Sequence, residues 1–187
     1  MATETRPSLI TAEQFLQMDL GDGQHELIRG EIVEVTPPSP GHGFVCANVT
    51  YLLSKYGRET EVGYVLSNDT VVLTERAPDS VRGGDVLFYR NDRWPKAQVA
   101  GSKLPPVVPD LVVEVYSPSD RPGKLGEKIS EYLNAGVPMI WVLYPDRRTL
   151  RIDRADDPVP RILGPEATVG DLPELPGFRC VVADFFV

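Results

Sequence analysis

The sequence is poor in the residues that cross-link small proteins or hold soft metals. Among 187 residues there are two cysteines, Cys46 and Cys180, and two histidines, His25 and His42. Two thiols cannot build a disulfide framework. The four residues together do not make a Cys/His zinc site of the usual four-ligand kind, so any metal is expected to be held mainly by oxygen. Basic side chains are outnumbered as well: 19 Lys and Arg face 27 Asp and Glu, a formal charge of −8. Affinity for polyanions rests on fixed positive charge, which argues against a sequence-blind binder of nucleic acid or anionic membrane. No apolar run approaches the ~18 residues of a membrane span, and Met1 to Ile10 holds Glu4 and Arg6 in place of a signal-peptide core. The expectation is a cytoplasmic, reduced protein with no membrane partner. Long repeats, low-complexity tracts and linkers are missing too. So are the G-x-S-x-G elbow, the P-loop and the G-x-G-x-x-G fingerprint.

What is abundant is punctuation. Sixteen glycines and 18 prolines imply many short elements joined by sharp turns, and the length suits a single domain, 1–187, with a real core. Thr11 to Gln14 has capping-box form and opens a short helix near residues 12 to 18. His25 to Val35 reads as a hairpin turning at Arg29-Gly30. Ser39 caps and Pro40 starts a helix on which Val45, Val49, Leu52, Leu53 and Tyr56 share a face, with Gly57 as the expected stop. Strands are expected at Tyr64 to Leu73, with a break at Ser67 to Asp69, and at Asp85 to Tyr89 and Asp110 to Tyr116. Lys124 to Ala135 is an amphipathic helix. Met139 to Tyr144 and Leu150 to Arg154 are strands across a turn at Pro145 to Arg148. Strand, helix and strand from 110 to 144 call for a right-handed parallel crossover. The Pro- and Gly-rich tail from Pro158 ends in an apolar run that packs back on the core. The expected class is α/β, with a mixed sheet.

Chemistry first shows at PDLVVEVY, residues 109–116. Period-two geometry sets Asp110, Val112, Glu114 and Tyr116 on one face, so Glu114 is a carboxylate among apolar neighbours in a strand that should be central. Its ionised form is costly to desolvate unless a cation or metal stands beside it. A plain salt bridge, or a sheet-edge glutamate facing water, is the alternative. Asp85 opens the apolar stretch DVLFY after Arg82-Gly83-Gly84, where an aspartate alone reads as a strand or turn initiator. Together with Glu114 it acquires another meaning, because carboxylates from adjacent strands can converge on one hard cation such as Mg²⁺. Lys128 lies at the border of the apolar stripe of its helix, whose first turns pass near the C-terminal end of the preceding strand. It can reach Glu114, or its stem can simply cover the core.

These residues carry a resemblance. The run PDLVVEVYSPSDRPGKLGEKISEYLNAGVPMIWVLYPDRRTLRIDR resembles the signature half of the Uma-two family of restriction endonucleases, within the PD-(D/E)xK nuclease superfamily. HELIRGEIVEVTPPSPGHG resembles the family's opening hairpin and first core helix, RGGDVLFY its acidic strand, and VGDLPELPGFRCVVADFF its closing segment. The resemblance implies a restriction-endonuclease-like sheet flanked by helices, with the hairpin as an N-terminal extension. It also implies an endonuclease site, dependent on Mg²⁺ or Mn²⁺, that hydrolyses phosphodiester bonds of nucleic acid, with DNA the expected partner. Asp85 and Glu114 become the metal-binding acids and Lys128 the lysine. The superfamily normally places that lysine two residues after the second acid, where this chain has Tyr116, and Gly84 stands where the family usually has proline.

Glu26 and His42 occupy family-like positions and are expected as accessory ligands or supports. Asp110, two pleats from Glu114, is expected to be a support or the entry to the strand. Two readings compete with catalysis: a nuclease fold kept as a nucleic-acid or protein-binding module, and an unrelated hydrolase or structural α/β protein. Cleavage of two strands by a chain with one site favours a symmetric homodimer. The charge also resolves by segment. Residues 81–128 hold eight basic and six acidic side chains, a net of +2, while residues 1–80 carry −7 and residues 129–187 carry −3. A confined basic site on an acidic body, with weak and salt-sensitive DNA affinity, is the expectation.

Overall fold

The computed structural model describes residues 9–117 and 122–187. Thr11 closes the expected capping box: its hydroxyl accepts from Gln14 N at 3.2 Å, and Gln14 Oε1 accepts from Thr11 N at 2.9 Å. The helix it starts, α1 (Ala12–Phe15), is shorter than expected. β1 (Gln24–Ile28) and β2 (Glu31–Val35) form the hairpin, with Arg29 and Gly30 both at positive φ in its turn. α2 (Pro40–Thr60) begins at the Ser39 cap but runs past Gly57 to end at Glu61, which is left-handed. Gly57 serves packing and not termination, because a Cβ there would lie 2.5 Å from the carbonyl oxygen of Gly63 on the strand that crosses it.

That strand, β3 (Gly63–Glu75), pairs along its length with β4 (Ser80–Arg90). The break expected at Ser67 to Asp69 is a bulge within β3: the register shifts between Ser67 and Thr70, and Asn68 and Asp69 have positive φ. β4 starts at Ser80, so Asp85 sits in mid-strand and is not its initiator. β5 (Leu111–Val115), α3 (Pro122–Asn134) and β6 (Met139–Tyr144) make the expected parallel crossover. β7 (Thr149–Arg154) returns antiparallel to β6. The tail contains more structure than its composition suggests. β8 (Asp157–Leu163) extends the sheet, β9 (Thr168–Leu172) and β10 (Leu175–Val181) form a separate pair, and a 3-10 turn at Val182–Phe186 buries Phe185.

The main sheet runs β2-β1-β4-β5-β6-β7-β8, with β3 also paired to β4, and is mostly antiparallel. Helices cover both faces, as the α/β reading expects. On one face α2 packs Val49, Leu53 and Tyr56 against Val86, Phe88, Val113 and Trp141, joined by Phe178 and Phe185 from the tail. On the other, α3 packs Ile129 and Tyr132 over Leu87, Val112, Ile140 and Val142. Each such aliphatic or aromatic side chain contributes about 1.5–3 kcal/mol on burial. No helix among the described residues is long and apolar enough to cross a membrane.

One irregularity of this sheet makes room for chemistry. Opposite β3, β4 meets β1 at Val81 and β5 at Val86 to Phe88, so residues 82–85 pair with neither. The ladder is open there, and side chains fill it.

Candidate active site

In the open stretch of β4 the backbone of Gly83 is satisfied by side chains: its N–H donates to Glu26 Oε1 at 3.1 Å and its carbonyl accepts from the Tyr132 hydroxyl at 3.2 Å. β1 therefore delivers Glu26, and α3 delivers Tyr132, to the place where a strand would otherwise sit. Gly84 follows, and a Cβ at this position would lie 2.4 Å from Leu87 Cδ2.

Asp85 stands next. Its Oδ2 accepts from Val115 N at 2.6 Å and lies 3.1 Å from His42 Nε2. His42 is held in the first turn of α2 by the Ser39 cap, whose Oγ accepts from His42 N at 3.3 Å. Glu114, on β5, is met by α3: Lys128 Nζ donates to Oε2 at 2.9 Å, and the Tyr132 hydroxyl lies 2.9 Å from Oε1. Lys128 and Tyr132 are one helical turn apart, which places both over the same strand. Lys128 Nζ is also 3.5 Å from Glu26 Oε1. Behind Glu26, Arg82 donates to Glu26 Oε2 at 2.8 Å and to both oxygens of Glu131 at 2.7 Å.

Burial makes these charges consequential. Glu114 is 6% exposed. Burial pushes its carboxyl up to about 8, with Asp85 acting in the same direction, while Lys128 and the Tyr132 hydroxyl pull it back. The hydrogen bonds agree with a raised value. The Tyr132 hydroxyl has one proton and two acceptors, so both contacts are hydrogen bonds only when Glu114 itself carries a proton. Burial would lower the pKa of Lys128, but Glu114, Glu26 and Asp85 together hold the ammonium above its ordinary value. Burial would raise Glu26, yet Lys128 and Arg82 keep it below the usual range. Burial disfavours the charged form of His42, and Asp85 reverses this to a net rise.

Of the residues singled out from sequence, Asp85, Glu114, Lys128, Glu26 and His42 line one open cleft of about 1340 Å³. Asp110 does not join them: its Oδ2 accepts from Arg90 N at 2.8 Å and its Oδ1 from Arg93 at 2.9 Å, at the entry to β5. Sequence reasoning left out Arg82, Glu131, Tyr132, Asp69 and Cys46. Tyr132 reads as one more apolar residue on the α3 stripe, and nothing in its spacing marks the hydroxyl. Asp69 had a signal, an Asn-Asp pair inside a strand, which favours left-handed backbone and hence a bulge. It lines the same cleft, and burial followed by the nearby Asp85 raises its pKa.

The donor set suits a hard divalent cation. Two buried carboxylates, Asp85 and Glu114, come to one polar cleft, and the charge on Glu114 is disfavoured there without a positive partner. His42, Cys46 and Asp85 also bring ligand atoms within 4.8 Å of one another, adding nitrogen and sulfur to a set that composition alone expects to be oxygen. The sulfur lies 3.4 Å from His42 Nδ1, while the other ring nitrogen faces Asp85. Burial raises the Cys46 thiol pKa, which keeps it protonated and makes it a support for the imidazole ahead of a ligand.

No curated protein matches the chain. A crystal structure described as "a putative nuclease belonging to DUF820" from Anabaena variabilis superposes with a TM-score of 0.80 at 19% identity, covering 95% of this chain and 97% of that one. At that identity the likeness establishes the fold. The family model for Uma2, described as "Putative restriction endonuclease", matches residues 12–183. That span includes each residue that lines the cleft, and the chain belongs to the Uma2 family.

Proposed function

We propose that the protein is a metal-dependent endonuclease that hydrolyses phosphodiester bonds of nucleic acid, DNA foremost, at Asp85, Glu114 and Lys128. The observation that carries this reading is the Lys128 ammonium, which α3 brings to 2.9 Å from Glu114 Oε2. Asp85 and Glu114 would hold the cation, Mg²⁺ or Mn²⁺. When bound, it supplies charge neutralisation at the phosphate and a lower pKa for a coordinated water.

The chain's own residues do the rest. Lys128, kept protonated by three carboxylates, places a donor where negative charge develops on the phosphoryl oxygens. The Tyr132 hydroxyl fixes the orientation of the Glu114 carboxyl, and Val115 N and His42 fix that of Asp85. Glu26, itself clamped by Arg82, restrains the Lys128 side chain. Two-strand cleavage by a chain with one such cleft calls for two copies, so the active species is a homodimer.

The test is cleavage of duplex and single-stranded DNA and of RNA by purified protein with Mg²⁺ or Mn²⁺, beside Asp85→Asn and Glu114→Gln. Metal-dependent cutting that both substitutions reduce by at least about 100-fold is expected. A wild-type protein that cuts nothing, and whose melting temperature Mn²⁺ leaves unmoved, would sink the reading and leave a binding module. Sedimentation across a concentration series tests the dimer.

A further inference from the structure

A second concavity of about 470 Å³ adjoins the cleft. It is lined by Tyr116, Leu125, Ile129 and Tyr144, with Asp146, Arg147 and Arg151 at its mouth, and Leu125 and Gly126 line both it and the cleft. Tyr116 directly follows β5 and Tyr144 ends β6, its parallel neighbour, and their half-buried rings lie 5.2 Å apart between centroids. None of these residues is needed for the chemistry described above. We propose that this pocket receives an unpaired base of the strand whose phosphate lies in the cleft, a proposal that rests on the nuclease reading.

The lining suits a base. Bases stack on tyrosine rings whatever their identity, and a cavity of this size takes a ligand of that class. One arginine at the mouth can meet the attached phosphate. Arg151 is fixed by Asp153, at 2.6 and 2.7 Å, while the exposed Arg147 guanidinium has no ion-pair partner among the described residues. With Arg151 paired to Asp153 and Asp146 beside them, the charges at the mouth balance, and Arg147 is the one guanidinium there left open to a phosphate.

Position points the same way. Tyr116 lies two residues beyond Glu114, just past the end of β5, and at strand rise that is about 7 Å, a reach that one nucleotide covers. Gly126 supplies an independent sign. Glycine is a poor residue inside a helix, and a Cβ here would meet open space, so packing does not require it. Its lack of a side chain instead leaves a low crossing over α3 between cleft and pocket. A larger side chain would stand in the path of a strand running from one to the other.

Binding of single-stranded oligonucleotides carrying 2-aminopurine, measured in EDTA by quenching of its fluorescence on stacking, tests the proposal apart from cleavage. Deoxy and ribo versions run side by side show which strand the pocket takes. Saturable quenching by wild type is expected, with affinity at least about tenfold weaker in Tyr144→Leu and in Gly126→Gln. Gly126→Gln improves helix propensity, so its melting temperature should hold or rise, and a loss of binding in it cannot be a loss of fold. Equal affinity and equal quenching in all three proteins would overturn the proposal. Cutting of DNA or RNA with Mn²⁺ alongside that null result would leave the nuclease reading standing. The converse, pocket-dependent quenching with no metal-dependent cutting, would support the base pocket and overturn the nuclease.

Discussion

Replacing Lys128 with methionine should destabilise the protein in a way that depends on pH, and the structure sets the window. Lys128 Nζ is 2.9 Å from Glu114 Oε2 and 3.5 Å from Glu26 Oε1, on a side chain 19% exposed. Removing one partner of a buried ion pair costs about 3–5 kcal/mol when the other charge is stranded. Glu114 need not be stranded, because it can take up a proton. Its carboxyl is raised from 4.5 to about 8 with Lys128 in place, and Lys128 is the largest influence opposing that rise. Without the ammonium the folded-state value climbs further.

An acid whose pKa is higher folded than unfolded costs nothing below its unfolded value, then loses stability as pH rises toward its folded value. Wild type and variant should therefore decline together from pH 4.5 to about 8. Above that, wild type levels off while the variant continues to lose ~1.4 kcal/mol per pH unit. Glu26 keeps Arg82 and contributes only a pH-independent part. Urea unfolding in EDTA should give a gap between the two proteins about 2 kcal/mol wider at pH 9.5 than at pH 7. Adding Glu114→Gln to the variant should remove the widening. A gap of constant size across that range would refute the account of Glu114 as a raised, proton-accepting carboxyl.

Tyr132→Phe removes the hydroxyl that bonds both Gly83 O and Glu114 Oε1, so it should cost about 1–3 kcal/mol in urea unfolding and lower cleavage through mispositioned Glu114. A change under about 0.5 kcal/mol would show that water replaces the hydroxyl. Arg82→Met leaves Glu26 and Glu131 facing one another without their shared cation, and a loss of about 3–5 kcal/mol is expected. Restoring charge balance by Glu131→Gln in the same chain should recover part of it, and no recovery would argue that Arg82 matters through packing alone.

The elements that sequence shows most clearly are those with a strong local pattern of apolar residues or caps. The Lys124 to Ala135 stripe, the MIWVLY run and the Thr11 capping box each appear where their periodicity or caps put them, because local preference and tertiary packing agree there. Disagreement arises where a residue has two uses. Gly57 looks like a helix stop but admits the close approach of Gly63, a contact created by the fold and absent from any local window. Pro158 and Pro160 look like loop residues, yet they sit in β8, the outer strand of the sheet, where a missing N–H costs no ladder bond and protects the edge. Ser80 to Gly84 look like a connection because they carry glycine and charge, yet they form the first half of β4. Their unusual composition is what the open ladder needs: Gly83 and Gly84 allow close packing, and Arg82 spans the gap.

On the proposed nuclease reading, the same logic gives the lysine a place on the helix and not on the strand. Two residues after Glu114 this chain has Tyr116, which lines the neighbouring pocket and not the cleft. α3 runs back over β5, so a residue one turn before Tyr132 meets Glu114 from across the cleft at 2.9 Å. What the chemistry requires is the distance between ammonium and carboxylate, and helix and strand are interchangeable means of setting it. Moving the cation to the helix frees the strand position for an aromatic ring at the neighbouring pocket. It also surrounds the cation with Glu114, Glu26 and Asp85, which hold it charged in a site too buried for it otherwise. The net charge of −8 is then no obstacle to a nucleic-acid substrate. On the proposed reading, acids inside the cleft are matched by Lys128, Arg82 and the cation, and the remaining acidic surface would repel DNA not seated there, confining productive binding to the cleft.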